Sequence, residues 1–234
     1  MARQPRLSLP GQLHHVLLRG NNRQPVFADD ADRALWVALL TQHASAQGVA
    51  LHAWALMPDH IHLLLTPQRD GALSQCMQAT GRAYVQAFNR RHGRHGTLWE
   101  GRYRSTVLEA EPWLLRAMVW LDTHPQRAGL TDHAGGAHPW TTAAHYLGLR
   151  PERGLTVAPP YWALGNTPFA REAAYRTLLE LGSPTPHTLA LTHAALKGWA
   201  LGSAGFVAGL QVQTPRRLRM ATPGRPRGAA AEDF

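Results

Sequence analysis

A chain of 234 residues with 44% hydrophobic residues and a formal net charge of +9 has room for one sizeable domain with an extension, or for two small ones. Its single cysteine, Cys76, excludes a disulfide framework and a cysteine-type zinc site, and the positive balance favours a polyanionic partner over an acidic protein surface. No apolar run reaches the roughly 18 residues of a membrane span, and the amino terminus lacks the apolar stretch of a signal peptide, so the expectation is a cytoplasmic protein.

Residues 1–11 form a basic lead-in with Pro5, Pro10 and Gly11. QLHHVLLRG (12–20) reads as a strand ended by the turn-like GNNRQ, and His15 within it is expected to be structural. Asp29 or Asp30 can cap a helix whose apolar positions include Ala31, Leu35, Trp36, Leu39 and Leu40 and which ends near Gly48. VALHAWALM (49–57) is a second strand, with His52 expected to be structural. Pro58-Asp59 turns it into a third, HIHLLLTP, completing a β-hairpin. Gly71 precedes a helix over about 72–92 with the apolar stripe Leu73, Met77, Tyr84, Val85 and Phe88, in which Cys76 is expected to be buried. GRHGT breaks that helix, GRYRSTVL (101–108) reads as a fourth strand, and EPWLLRAMVWLD supplies a helix over about 112–123. The order β-α-β-β-α-β predicts an α+β, ferredoxin-like core, an antiparallel sheet with helices on one face.

Beyond it, residues 124–160 mix loop and short helix, PFAREAAYRTLLELG is an amphipathic helix, and HTLALTHAALKGWALGSAGFVAGL holds one or two more. These helices form an extension, for which a helix-turn-helix-like shape is one possibility. The Arg/Pro/Gly-rich end is expected to be disordered. The division is a lead-in at 1–11, a core at 12–148, a helical extension at 149–212 and a basic tail at 213–234. There are no internal repeats.

Residues two apart on a strand share a face, so His60 and His62 point together while Ile61, Leu63 and Leu65 point into a core. Two imidazoles on one face can hold a divalent metal; the bland alternative is a solvated strand end. Tyr84, on the following helix, is either a packed ring with its hydroxyl at the rim or a nucleophile. Gln86, Asn89 and His92 are the candidates for a third metal ligand, and helix phase leaves the choice among them open. These groups would permit metal-assisted phosphoryl transfer, the ion stabilising charge at the phosphate and the tyrosine hydroxyl attacking in line. Manganese and magnesium are the ions expected. Arg82, Arg90, Arg91, Arg94, Arg102 and Arg104 form the densest basic region, with Trp99 and Tyr103 interleaved, suited to a nucleic-acid backbone and unpaired bases. Arg23, in the GNNRQ turn, joins this DNA-binding set. Arg225 and Arg227, in PGRPRG, form either a minor-groove hook or a generic basic tail.

The segments HHVLLRGNNRQPVF, HAWALMPDHIHLLLTP, GRAYVQAFNRRHGRHGTLWEGRYRS and LDTHPQRAGL with HPWTTAAHYLG, in this order, resemble the IS200-like superfamily of single-tyrosine HUH endonucleases. Within it they are similar to the REP-associated tyrosine transposases. The resemblance covers most of the chain. It implies that His60 and His62 are the metal pair, that Tyr84 is the nucleophile and that Asn89 completes the metal shell. It also implies a partner, single-stranded DNA folded into a hairpin or palindrome, cleaved to a 5′-phosphotyrosine and a free 3′-OH that can be rejoined. The oligomeric state, monomer or homodimer, is left open. THPQR departs from the Asn-Pro-Val-Arg-like sequence expected there and falls outside the site so drawn. The alternatives are a hairpin-binding regulator of DNA or RNA without catalysis, and a replication-initiator or relaxase-like nickase.

Overall fold

Four apolar segments form strands: β1 (Leu13–Arg19), β2 (Val49–Leu56), β3 (His60–Pro67) and β4 (Arg104–Leu108). In the computed structural model, of which residues 7–131 and 138–219 are described, they make one antiparallel sheet in the order β2-β3-β1-β4. α1 (Asp30–Gln47) joins β1 to β2, and α2 (Ala72–Arg91) joins β3 to β4. This is the ferredoxin-like order expected from the sequence. Of the two candidate caps, Asp29 is the one used: its carboxylate accepts from the Asp32 backbone N–H at 3.0 Å. Gly48 closes α1 in the left-handed region at φ 64°, a conformation that costs glycine nothing. β4 begins at Arg104, later than residue 101, because the preceding loop arches around the end of β1, with the Glu100 N–H donating to the Arg19 carbonyl at 2.9 Å.

The two faces of the sheet bury different partners. Val16, Leu18, Ile61, Leu63 and Leu65 pack with Trp36, Leu40, Met77, Tyr84 and Phe88 of α1 and α2. Leu13, Ala53, Ala55 and Leu64 look the other way, onto Leu114, Ala117 and Met118 of α3 (Ala110–Asp122). Short helices α4 (His124–Arg127), α5 (Ala143–Tyr146) and α6 (Pro159–Trp162) follow, then α7 (Pro168–Leu181), α8 (Thr185–Lys197) and α9 (Ala204–Gln211). α7 and α8 pack on α3, and α8 also on β1 and β4, so the extension thickens the layer over the second face. Burial on both faces explains why the strands read as near-continuous apolar runs.

Tyrosine hydroxyls stitch this layer together. Tyr175 donates to Asp122 Oδ2 at 2.6 Å, Tyr161 to the Tyr146 carbonyl at 2.7 Å and Tyr146 to the His52 carbonyl at 2.6 Å. His52 is structural, as expected: its ring meets the Thr156 carbonyl and Thr66 Oγ1. No helix among the described residues is long and apolar enough to cross a membrane. Residues 1–6 of the lead-in, and the end of the tail with Arg225 and Arg227, lie outside the described residues.

The fold keeps several histidines uncharged. His14 accepts from the Leu9 N–H at 3.1 Å and donates to the Gln12 carbonyl at 2.7 Å. Burial lowers His14 and His15 to about 4 each. An unfolded chain takes up these protons near pH 6.5 while the folded one does not, so stability is complete above that pH and falls as pH drops toward 4. Each such histidine contributes a slope of about 1.4 kcal/mol per pH unit in that window. Asp122, raised by burial to about 7, works in the opposite direction as a single group. Denaturant midpoints of chelator-treated protein should therefore fall between pH 6.5 and pH 4.5; a flat profile would show that the buried rings are charged in the fold.

Candidate metal centre

β3 presents its histidines by alternation. His62 stands opposite Leu17 of β1 and Ala55 of β2, and His60 opposite Arg19. Opposed residues share a face, so both imidazoles lie on the α3 side, while Ile61 and Leu63 lie on the α1–α2 side. The corner between α3 and α4, with Pro125 in the first turn of α4, brings His124 to the same place. The three rings form a near-equilateral triangle, with centroids 5.0 Å apart for His60–His62, 5.1 Å for His60–His124 and 5.2 Å for His62–His124. One ring nitrogen from each lies within 4.8 Å of the others, the one such group among the described residues.

Each ring is aimed by a neighbour. His60 Nδ1–H donates to Asp59 Oδ1 at 2.6 Å, leaving its Nε2 facing His124 Nε2 at 2.9 Å. Carboxylate support of this kind fixes the tautomer and raises ligand basicity. His62 Nδ1 lies 2.9 Å from His15 Nε2, which holds the His62 ring from behind. Arg127 Nη2 lies 3.1 Å from His124 Nδ1, and its guanidinium lies 5.3 Å from the centroid of the Trp120 ring. Trp120 in turn packs edge-on to His62 at 5.0 Å and stands 5.6 Å from His124. Burial, reinforced by the surrounding histidines and Arg127, keeps His62 well below its ordinary value; burial, then His60 and Arg127, lowers His124 to about 3. Neutral imidazoles are the form that ligates a metal. Three converging imidazoles, one with a carboxylate behind it, fit a divalent ion.

Residues 10–114 match the family model described as Transposase IS200 like. That segment, under half of the chain, is similar to the IS200-like transposases. Among solved structures it is similar to a REP-associated tyrosine transposase bound to a REP hairpin, at 16% identity and a TM-score of 0.51, covering 67% of this chain and 88% of that one. At that identity the likeness is one of fold. A transposase of Deinococcus radiodurans is 26% identical, with a TM-score of 0.35, over 50% of this chain and 95% of that one. No curated protein matches. The family match contains His60 and His62 and stops inside α3, before Trp120 and His124.

The two histidines of β3 share one face of the sheet, and Tyr84 does not join them. Tyr84 lies across the sheet, fully buried, packed against Trp36 at 5.1 Å, Phe88 at 5.8 Å and Phe27 at 5.9 Å. Its hydroxyl donates to the Val26 carbonyl at 2.6 Å, and burial pushes its ionisation well above the usual tyrosine value. The expectation of a nucleophile there is corrected: helix phase puts Tyr84 on the core stripe of α2, with Ile61 and Leu63 and the sheet itself between it and the histidines. The other tyrosines are also engaged away from the triangle, Tyr103 with Ser74 Oγ at 3.1 Å and Tyr146, Tyr161 and Tyr175 in the extension. The aromatic ring beside the histidines is Trp120.

The three candidate third ligands are likewise elsewhere. Asn89 donates to the Gly96 carbonyl at 2.9 Å, closing the loop after α2; His92 meets the Asp32 carboxylate at 3.0 Å; Gln86 lines a cleft beside Trp99. His124 takes the position instead, from the THPQR segment that the sequence reading set outside the site. Its one local signal was a histidine directly before a helix-starting proline.

The arginines divide by role. Arg91 pairs with Asp29 at 2.6 Å and Asp32 at 2.5 Å, tying the end of α2 to the start of α1. Arg94 lies 5.5 Å from the Phe88 ring centroid, and Arg104 donates to the Leu196 carbonyl at 2.8 Å. Arg23, Arg82, Arg90 and Arg102 are exposed and carry no ion pair among the described residues.

Asp59→Asn should weaken divalent-ion binding by roughly 10- to 100-fold, as loss of a ligand-supporting carboxylate does, and His124→Ala should weaken it further, both read by calorimetric titration. Tyr84→Phe should leave that affinity unchanged while lowering stability by about 1–3 kcal/mol, because the buried Val26 carbonyl loses its donor. An unaltered ion affinity in His124→Ala would remove His124 from the centre.

Proposed function

We propose that this IS200-like protein binds single-stranded DNA folded into a hairpin and breaks a phosphodiester bond at His60, His62 and His124, with a divalent ion held by those three rings. The observation that carries the reading is the triangle of converging, buttressed imidazoles on an IS200-like fold. The ion, when bound, would polarise the scissile phosphate and offset charge in the transition state. Three imidazoles with no carboxylate among them favour manganese or another nitrogen-tolerant divalent ion over magnesium. Hairpin DNA as the substrate class draws support from the REP hairpin bound by the protein of similar fold, from the net charge of +9 and from exposed Arg23, Arg82, Arg90 and Arg102.

The covalent phosphotyrosine route needs a tyrosine hydroxyl at the histidines, and all five tyrosines are engaged elsewhere. The arrangement therefore favours a break in which water accepts the phosphoryl group and no protein–DNA bond forms. Trp120, whose indole has no nucleophilic oxygen, favours a second reading, in which the centre supports hairpin binding without cleavage.

Purified protein, labelled hairpin oligonucleotides from the DNA flanking its gene and manganese decide among these on a denaturing gel. The expected result is a metal-dependent nick with no slow-migrating adduct, abolished in His60→Ala and retained in Tyr84→Phe. Tight binding without a nick selects the second reading. A covalent band that disappears in Tyr84→Phe would overturn both.

A further inference from the structure

A cleft of about 460 Å³ opens between α2 and the loop leading into β4, within the roughly 300–1,000 Å³ of small-molecule sites. The metal centre makes no use of it. Its apolar floor includes Met77, Val85 and Trp99, and its polar wall is the row Gln78, Arg82 and Gln86 on α2, faced by Arg102 from the loop. Spacing of four residues aligns that row along one side of the helix.

Trp99 is fixed from behind, 5.4 Å from Trp36 and 6.1 Å from Tyr84 between ring centroids. Its indole N–H is enclosed and has no hydrogen-bond partner among the described residues, a donor that an acceptor entering the cleft could satisfy. Amides at Gln78 and Gln86 can both donate and accept. Exposed Arg82 and Arg102 have no carboxylate paired with them among the described residues. An apolar floor with an aromatic ring, amides at the wall and free guanidiniums at the mouth match a flat heteroaromatic group joined to an anion, which is the chemistry of a nucleotide.

The cleft also lies on the way to the histidines. A small hollow lined by Leu17, Arg19, Glu100, Arg102 and Arg104 shares Arg102 with it, and Glu100 there pairs with Arg19 at 3.8 Å. Leu17 and Arg19 of β1 pair with His62 and His60. Guanidiniums thus continue from the cleft across the end of β1 to the strand that bears the metal centre.

We infer that this cleft holds one unpaired nucleobase of the single-stranded DNA flanking the hairpin, packed on Trp99, with the adjoining phosphates on Arg82 and Arg102. The inference rests on the hairpin-DNA reading above, and the two fail differently. The probe is a labelled hairpin oligonucleotide with a single-stranded flank in which each nucleotide in turn is made abasic, its binding followed by fluorescence anisotropy in chelator so that no cleavage intervenes.

One flank position should weaken binding by roughly 5- to 100-fold when abasic, the range expected for loss of a base–aromatic contact. Gly81→Leu should erase that position's effect, because a Cβ at Gly81 stands 3.7 Å from Trp99 Nε1 and a longer side chain fills the cleft. Gly81→Ala, which fits without displacing Trp99, should keep it. Leucine favours helix over glycine, so a melting curve at or above that of the native protein shows the variant is folded. If the hairpin binds and every abasic position costs less than about two-fold, against the loss expected of a base–aromatic contact, the cleft holds no base. A penalty that survives Gly81→Leu places the base elsewhere and overturns the inference too. Absence of hairpin binding altogether overturns the underlying reading as well.

Discussion

The register of β3 between β1 and β2 is the constraint on which the rest depends. Because side chains alternate with period two, His60 and His62 are delivered to one face only while Ile61, Leu63 and Leu65 enter the other. A slip of one residue would drive the imidazoles into the α1–α2 core and turn the aliphatic set toward α3. Both faces are covered, so that error would place polar rings in an apolar layer without partners, which is expensive. The same packing that selects the register therefore selects the geometry of the metal centre.

Burial then sets its chemistry. His62 and His124 sit against Trp120 under the layer formed by α3 and its successors, and exclusion of water disfavours their charged forms. Asp59 and His15 orient two of the rings from behind, while Arg127, beside His124, adds a positive charge that further opposes protonation. Burial and that charge keep His62 and His124 in the neutral form that can ligate a metal. What this corner lacks among the described residues is a tyrosine hydroxyl: the aromatic residue one turn before His124 is an indole, which shifts the reading of the reaction away from a covalent tyrosine intermediate.

Tyr84 gains a different part. Together with Trp36 it forms the backing on which Trp99 rests, so a residue read first as a nucleophile is a structural support for a surface cleft. Likewise Arg90 and Arg91, adjacent in sequence, separate in role. Arg91 is locked to Asp29 and Asp32, whereas its neighbour, a third of a helical turn away, faces solvent.

The local patterns were legible without coordinates. Period-two alternation in β3, the apolar stripes of α1 and α2, the Asp29 cap, the Gly48 stop and the Pro58-Asp59 turn depend on residues a few positions apart, and the element order then follows. His60 and His62 were legible for the same reason. The stripe containing Tyr84 was legible too, and its phase already pointed to the core; giving Tyr84 a chemical role set that phase aside. The third histidine was not legible, because His124 is 64 residues from His60 and reaches it only when α3 folds over the second face of the sheet. Which arginines are free depends on the rotation of α2 against α1, and which ring guards the histidines depends on how α3 lies on β3. Sequence spacing determined the strands, helices and histidine pair; the packing of α3 and α2 on opposite faces of one sheet decided what stands beside that pair, since contacts between distant segments leave no local period to read.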